Sequence, residues 1–122
     1  MLVIRKEQTL VFSQYMLNQF QKKMQLHLIK RYPEQTKQMT ENQLKKLIVD
    51  GIEIAEGYKI TDENDVKRFL EYLVVYGRNF GTSSETKWAY QFLINNVLNG
   101  TKKMNAIDDY DLFVITLGKS DE

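Results

Sequence analysis

The chain has 122 residues, 43% of them apolar and 27% charged, and it contains no cysteine. That length fits one domain around one core, the composition is not that of a disordered segment, and the missing cysteine excludes disulfides, thiolate metal sites and a cysteine nucleophile. A net charge of +1 hides a split, because residues 1–46 hold nine bases and three acids, or +6, whereas residues 47–122 hold eight bases and thirteen acids, or −5. Solvated helix faces of mixed sign account for such a split, and steering onto a partner with a complementary split is the sharper alternative. The opening Met1-Leu2-Val3-Ile4 is much shorter than the apolar region of a signal peptide. Runs such as Leu73-Val74-Val75-Tyr76 fall far short of the ~20 residues that span a bilayer. A cytoplasmic location without membrane contact is therefore expected.

Met16, Phe20, Met24, His27 and Arg31 recur at helical steps, with Leu17 and Leu28 beside them. They predict a first helix from about residue 6 to Tyr32, ended by Pro33, which disfavours the α region for the residue before it. Thr40 and Gln43 have the spacing of a capping box. The helix they open carries Leu44, Leu47, Ile48, Gly51, Ile52, Ala55 and Tyr58 on one stripe. Gly51 on that stripe points to a close helix–helix approach, and Gly57 is placed to end the helix in the left-handed conformation. Thr61 is the next candidate N-cap, followed by Asp62, Glu63 and Asp65, where the helix dipole favours acids. From Val66 to Tyr76 the helix is apolar nearly all round, which predicts a central position.

Gly77 stops that helix and opens a loop through Ser84. A further helix places Trp88, Ala89, Phe92, Leu93 and Asn96 on one face and ends at Asn99-Gly100. Thr101 is a candidate cap for a last helix through Met104 and Ile107. Residues 112–117 are β-branched and aromatic without a partner strand, and read as the end of the last helix or as an extended packed tail. The expected fold is an all-α, single-domain bundle of about five to six helices over residues 1–117, with a polar tail at 118–122.

Few residues point to chemistry. His27 is the one histidine, so the usual zinc ligand sets are out of reach, and its place on the apolar stripe marks a hydrogen-bonded core or boundary residue. Neither a phosphate loop, a nucleophile elbow nor a paired-histidine helix motif occurs. Asp62, Glu63 and Asp65 belong to a helix start. Asp108 and Asp111 share a helix face, but two carboxylates without further ligands bind hard cations weakly, and no metal or cofactor is assigned. The lysines of the basic half, among them Lys22, Lys23, Lys30, Lys37, Lys45 and Lys46, come without a nucleic-acid-binding motif or overall basicity, so nucleic acid is not an expected partner.

Loops held on rigid elements commonly carry binding function, and aromatic residues and arginine are enriched in binding hot spots. Arg78, Phe80 and Trp88 are on these grounds the candidate partner-binding residues, with Phe80 reaching solvent from the Gly-rich loop. For Trp88, on the apolar face of its helix, core packing is the favoured role, whereas for Phe80 the two roles weigh about evenly. The basic face around Lys22, Lys30 and Arg31 ranks next.

Several stretches resemble a family of small helical proteins encoded beside bacterial type VI secretion spike and effector genes. They are Phe20 with Met24, His27-Leu28, Tyr32-Pro33, Gly51-Ile52, Ala55, Tyr58 to Val66, Phe69-Leu70, Tyr76 to Phe80, Trp88-Ala89, Gly100-Thr101 and Lys103-Met104. Where family members tend to carry an aspartate after the loop phenylalanine, this chain has Gly81. The resemblance implies a non-catalytic protein-binding accessory factor, an adaptor or chaperone for a secreted effector or spike component. The alternative it leaves open is an immunity protein that neutralises a toxin, and a small enzyme working through Asp108 and Asp111 ranks third. A homo-oligomer is compatible with each.

Overall fold

The computed structural model of the chain describes residues 11–120, and the expected start of the first helix near residue 6 lies outside them. Helix α1, Val11–Arg31, buries Phe20, Met24 and Leu28 at steps of four. On its far side it leaves Leu26 73% and Ile29 48% exposed, so α1 is apolar on two opposite faces. The backbone turns at Tyr32, and Pro33, whose missing N–H costs nothing in a first turn, opens a single turn that the sequence did not suggest, α2 (Pro33–Thr36).

Helix α3, Glu41–Gly57, starts with the capping box expected of it: the Gln43 amide donates to Thr40 Oγ1 and the Thr40 amide to Gln43 Oε1. Its predicted stripe is buried from Leu44 to Ala55. A Cβ on Gly51 would lie under 3.0 Å from side-chain carbons of both Leu70 and Leu73, so glycine here lets α3 meet helix α4, Glu63–Tyr76, closely. The end of α3 differs from expectation. The left-handed residue is Lys59, at φ 66°, rather than Gly57. The Ile60 amide donates to the Ala55 carbonyl and the Lys59 amide to the Glu56 carbonyl, which is a Schellman motif with lysine in the place glycine usually takes.

Asp62, one residue beyond Thr61, caps α4 by accepting from the Asn64 amide. Val66, Phe69, Leu70, Leu73 and Val74 are buried, and α4 packs against α3, α1, α2 and α6, the central position its composition predicted. Gly77, at φ 97°, ends it. Helix α5, Lys87–Leu93, stops short of Asn96 because Asn95 turns the chain, its side chain accepting from the Val97 amide. Helix α6, Gly100–Tyr110, is capped by Asn99, which accepts from the Lys102 amide, and not by Thr101. Thr101 instead donates to buried Asp65 at 2.6 Å.

Residues 112–117 are not extended. Helix α6 continues into a π-helical turn, Asp111–Thr116, and a last α turn, α7 (Leu117–Ser120), so the polar tail begins as helix. The fold is an all-α bundle with no strand among the described residues, and none of its described helices is long and apolar enough to cross a membrane.

Candidate functional site

One seam of the bundle, between α4 and α6, gathers a network of hydrogen-bonded polar side chains. Helical spacing puts Arg68, Tyr72 and Tyr76 on one line of α4, and Asp108 and Asp111 on the facing line of α6 and its continuation. Arg68 donates to Asp65 and to Asp108 at 2.8 Å each. Burial disfavours its charge, but these two carboxylates outweigh burial and hold its pKa above the ordinary value. Tyr72 donates to Asp108 and Tyr76 to Asp111, both at 2.7 Å. Burial first, and the accepting carboxylates second, push both phenols up, Tyr76 to about 12. His27 donates from Nε2 to Glu71 at 2.7 Å and is half-buried, the boundary role its stripe predicted.

The seam is therefore a set of satisfied structural pairs. Asp108 and Asp111, the carboxylates with catalytic potential on paper, are engaged by Tyr72, Arg68 and Tyr76. No group of metal-ligating side chains is assembled among the described residues.

Behind the seam lies an aromatic layer. Phe80 stacks on Tyr72 with centroids 4.8 Å apart and on Tyr76 at 5.6 Å, and meets Phe69 and Trp88 edge-on. It is 2% exposed. The expectation that Phe80 reaches solvent from its loop is thus corrected: the loop folds back on itself, the Gly81 amide donating to the buried Thr86 hydroxyl, and drives the ring into the core. Arg78 does lie at the surface, where it pairs with Asp50 of α3 at 2.9 Å and fastens the loop to the bundle. Trp88 is half-buried and stacks on Tyr110 at 5.1 Å and 11°, and Phe92 lies tilted against the same tyrosine with centroids 5.9 Å apart. Phe80 and Trp88 are in contact and Arg78 stands apart from them, so the three do not form one exposed patch.

What Trp88 and Tyr110 fix in place is the origin of the π-helical turn. Beyond Tyr110 the chain presents Leu112, Phe113, Val114 and Leu117 at 49, 62, 49 and 46% exposure, and none of residues 111–116 is buried. Among the described elements, only the flanking helices α6 and α7 pack extensively against the turn. A helix apolar nearly all round belongs inside something, and contiguous exposed apolar surface marks interaction sites in soluble proteins. The π geometry, frequent at functional sites, shifts the helical phase so that this apolar run leaves the face α6 buries. The sequence left this run as the end of the last helix or an extended packed tail; the first of these holds, and the overhang follows from where α6 ends on the bundle.

Comparison of the chain with protein-family models, with curated proteins and with solved structures finds no match.

Proposed function

We infer that the chain is a non-catalytic protein-binding accessory factor whose docking element is the apolar arm at residues 111–117. The observation that carries this reading is the arm itself, four large apolar side chains about half exposed on a short helix held at its base by the Trp88–Tyr110 stack. Short apolar helices dock into grooves of partner proteins through anchors at neighbouring turns. The resemblance to small helical proteins of type VI secretion loci supplies the partner class: a secreted effector or spike component, for which the chain serves as adaptor or chaperone, with immunity to a toxin as the second role.

The test is co-purification with the effector or spike protein encoded beside the gene, comparing the native chain with Phe113→Glu. Hot-spot truncations at interfaces cost ~2 kcal/mol or more, so the variant should lose at least about tenfold in affinity while keeping its melting temperature. Undiminished binding by Phe113→Glu removes the arm from the interface. An adaptor leaves the effector's toxicity intact, whereas an immunity protein abolishes it, so growth of cells producing both proteins separates the two roles.

A further inference from the structure

Among the described residues, a further exposed apolar feature lies on the outer side of α1. There Leu26 and Ile29, backed by Met39 and Leu44, line an open groove of about 600 Å³ between α1, α2 and the start of α3. Leu26 is the more exposed of the two outward residues, yet it sits at the middle of a 21-residue helix, where a polar residue would cost nothing. Lys22 lines the same groove, and Lys30 follows Leu26 by one turn. Neither lysine makes an ion pair among the described residues, and the acid of the groove, Glu41, is paired with Lys45 at 3.5 Å. The groove thus asks for an occupant with apolar anchors flanked by negative charge.

This chain contains such a segment. The arm presents Leu112, Phe113, Val114 and Leu117, preceded by Asp109, which makes no ion pair among the described residues, and by Asp111, which accepts from the neutral Tyr76 hydroxyl. Apolar faces the apolar groove and acids face Lys22 and Lys30, a complementarity that favours this pairing over arm against arm, where Asp109 and Asp111 would meet their own copies.

We propose that the arm of one copy seats in the α1–α2–α3 groove of a second copy, and that the exchange is reciprocal. Size favours reciprocity. The nine residues lining the groove are fewer than half of the ~20–30 residues a side of a stable interface, whereas a two-fold pair uses groove and arm of each copy together and approaches that range. A closed two-fold pair also leaves neither apolar surface open, while a one-way contact would propagate into chains. The inference rests on the reading of the arm as a docking element and adds its resting partner: a client takes the arm by displacing the second copy.

Sedimentation velocity on the full chain across a range of concentrations tests it. The expected result is a particle of twice 14.4 kDa, whose dissociation constant rises with salt as the Lys22, Lys30, Asp109 and Asp111 contacts are screened. Leu26→Glu and Phe113→Glu should each give monomer, because in a two-fold pair either change spoils both contacts. An equimolar mixture of the two variants should regain weak association, since one groove and one arm remain intact between them. Circular dichroism of each variant shows that the loss is not unfolding. A native chain that stays monomeric at every concentration overturns the proposal, as does a dimer that survives Leu26→Glu, or a mass that keeps growing beyond two copies. Those outcomes leave the arm's client-binding reading standing, because loss of the client on Phe113→Glu is measured separately.

Discussion

Tyr72 and Tyr76 each hand a proton-bearing oxygen to a carboxylate, Asp108 and Asp111, and this makes the seam sensitive to alkali. Both phenols are held above the ordinary tyrosine value of 10.0 by burial and by the acceptor beside them. In the unfolded chain they ionise near that value, so on raising the pH the unfolded state loses protons first. The stability these bonds contribute is thus fully present below pH 10 and is lost as pH rises from there, for Tyr76 through about 12. Lys103 acts in the opposite sense. It is buried, its ammonium donates to the Tyr58 carbonyl at the end of α3, and burial, with Lys59 nearby, lowers its pKa from 10.5. Its folded form is penalised for carrying charge below that pH, so its contribution is present above pH 10.5 and is lost as pH falls through the lowered value. The tyrosine effect is best read as a difference. Tyr72→Phe should cost about 1.5 kcal/mol at neutral pH, the low end for a hydrogen bond to a charged group, and the gap to the native chain should close as pH is raised above 10. Urea unfolding of both chains at several pH values measures it, and a gap that stays constant would rule out the Tyr72–Asp108 bond as its source.

At the scale of elements, the ends of α3 show what the sequence reveals and what it hides. Its start was legible because a capping box is a local signature, and its stripe was legible because burial follows helical period over seventeen residues. Its end was not, because Gly57 is the obvious left-handed residue, yet the chain turns two residues later so that Ile60 can become fully buried. Tertiary burial of Ile60 outweighs the local preference. The same competition explains Phe80, whose loop setting suggested the surface while four neighbouring aromatic rings hold it in the core. It also explains Thr101 and Thr61, displaced as caps by Asn99 and Asp62 one or two residues away. Lys59 bears the strain of the compromise, since a left-handed non-glycine residue costs roughly 1–2 kcal/mol. Lys59→Gly should relieve it and, after the extra freedom glycine gives the unfolded chain, stabilise the protein by about 0.5 kcal/mol. A lowered melting temperature in that variant would mean that the Lys59 side chain contributes more than its backbone loses.

For the whole molecule, the charge split of the sequence is partly neutralised by folding, because Lys23 of α1 meets Glu63 of α4 and Lys46 meets Asp50 across the boundary between the two halves. Among the described residues, folding leaves over the lysines Lys22 and Lys30 on the outer side of α1, an acidic end of α6, and an apolar surface beside each of these. The sequence could announce the charge but not the surfaces, since Leu26, Ile29 and residues 112–117 have the composition of core, and only the bundle shows that the core is complete without them. That completeness is testable by ending the chain at Tyr110. The truncation removes ten described helical residues, of which 111–118 are nowhere buried, and with them the hydrogen bond from Tyr76 to Asp111. It keeps the Trp88–Tyr110 stack and every buried residue of the core. Deleting a structural helix would cost several kcal/mol, because large apolar side chains leaving a core cost ~2–5 kcal/mol each. The truncated chain should instead lose about 1 kcal/mol, the scale of one partly exposed hydrogen bond, and its helical signal should fall only by the share of the residues removed. A cooperative thermal transition near that of the native chain supports an arm evolved for contact with another surface, whereas a truncated chain that unfolds would show that residues 111–120 belong to the core after all.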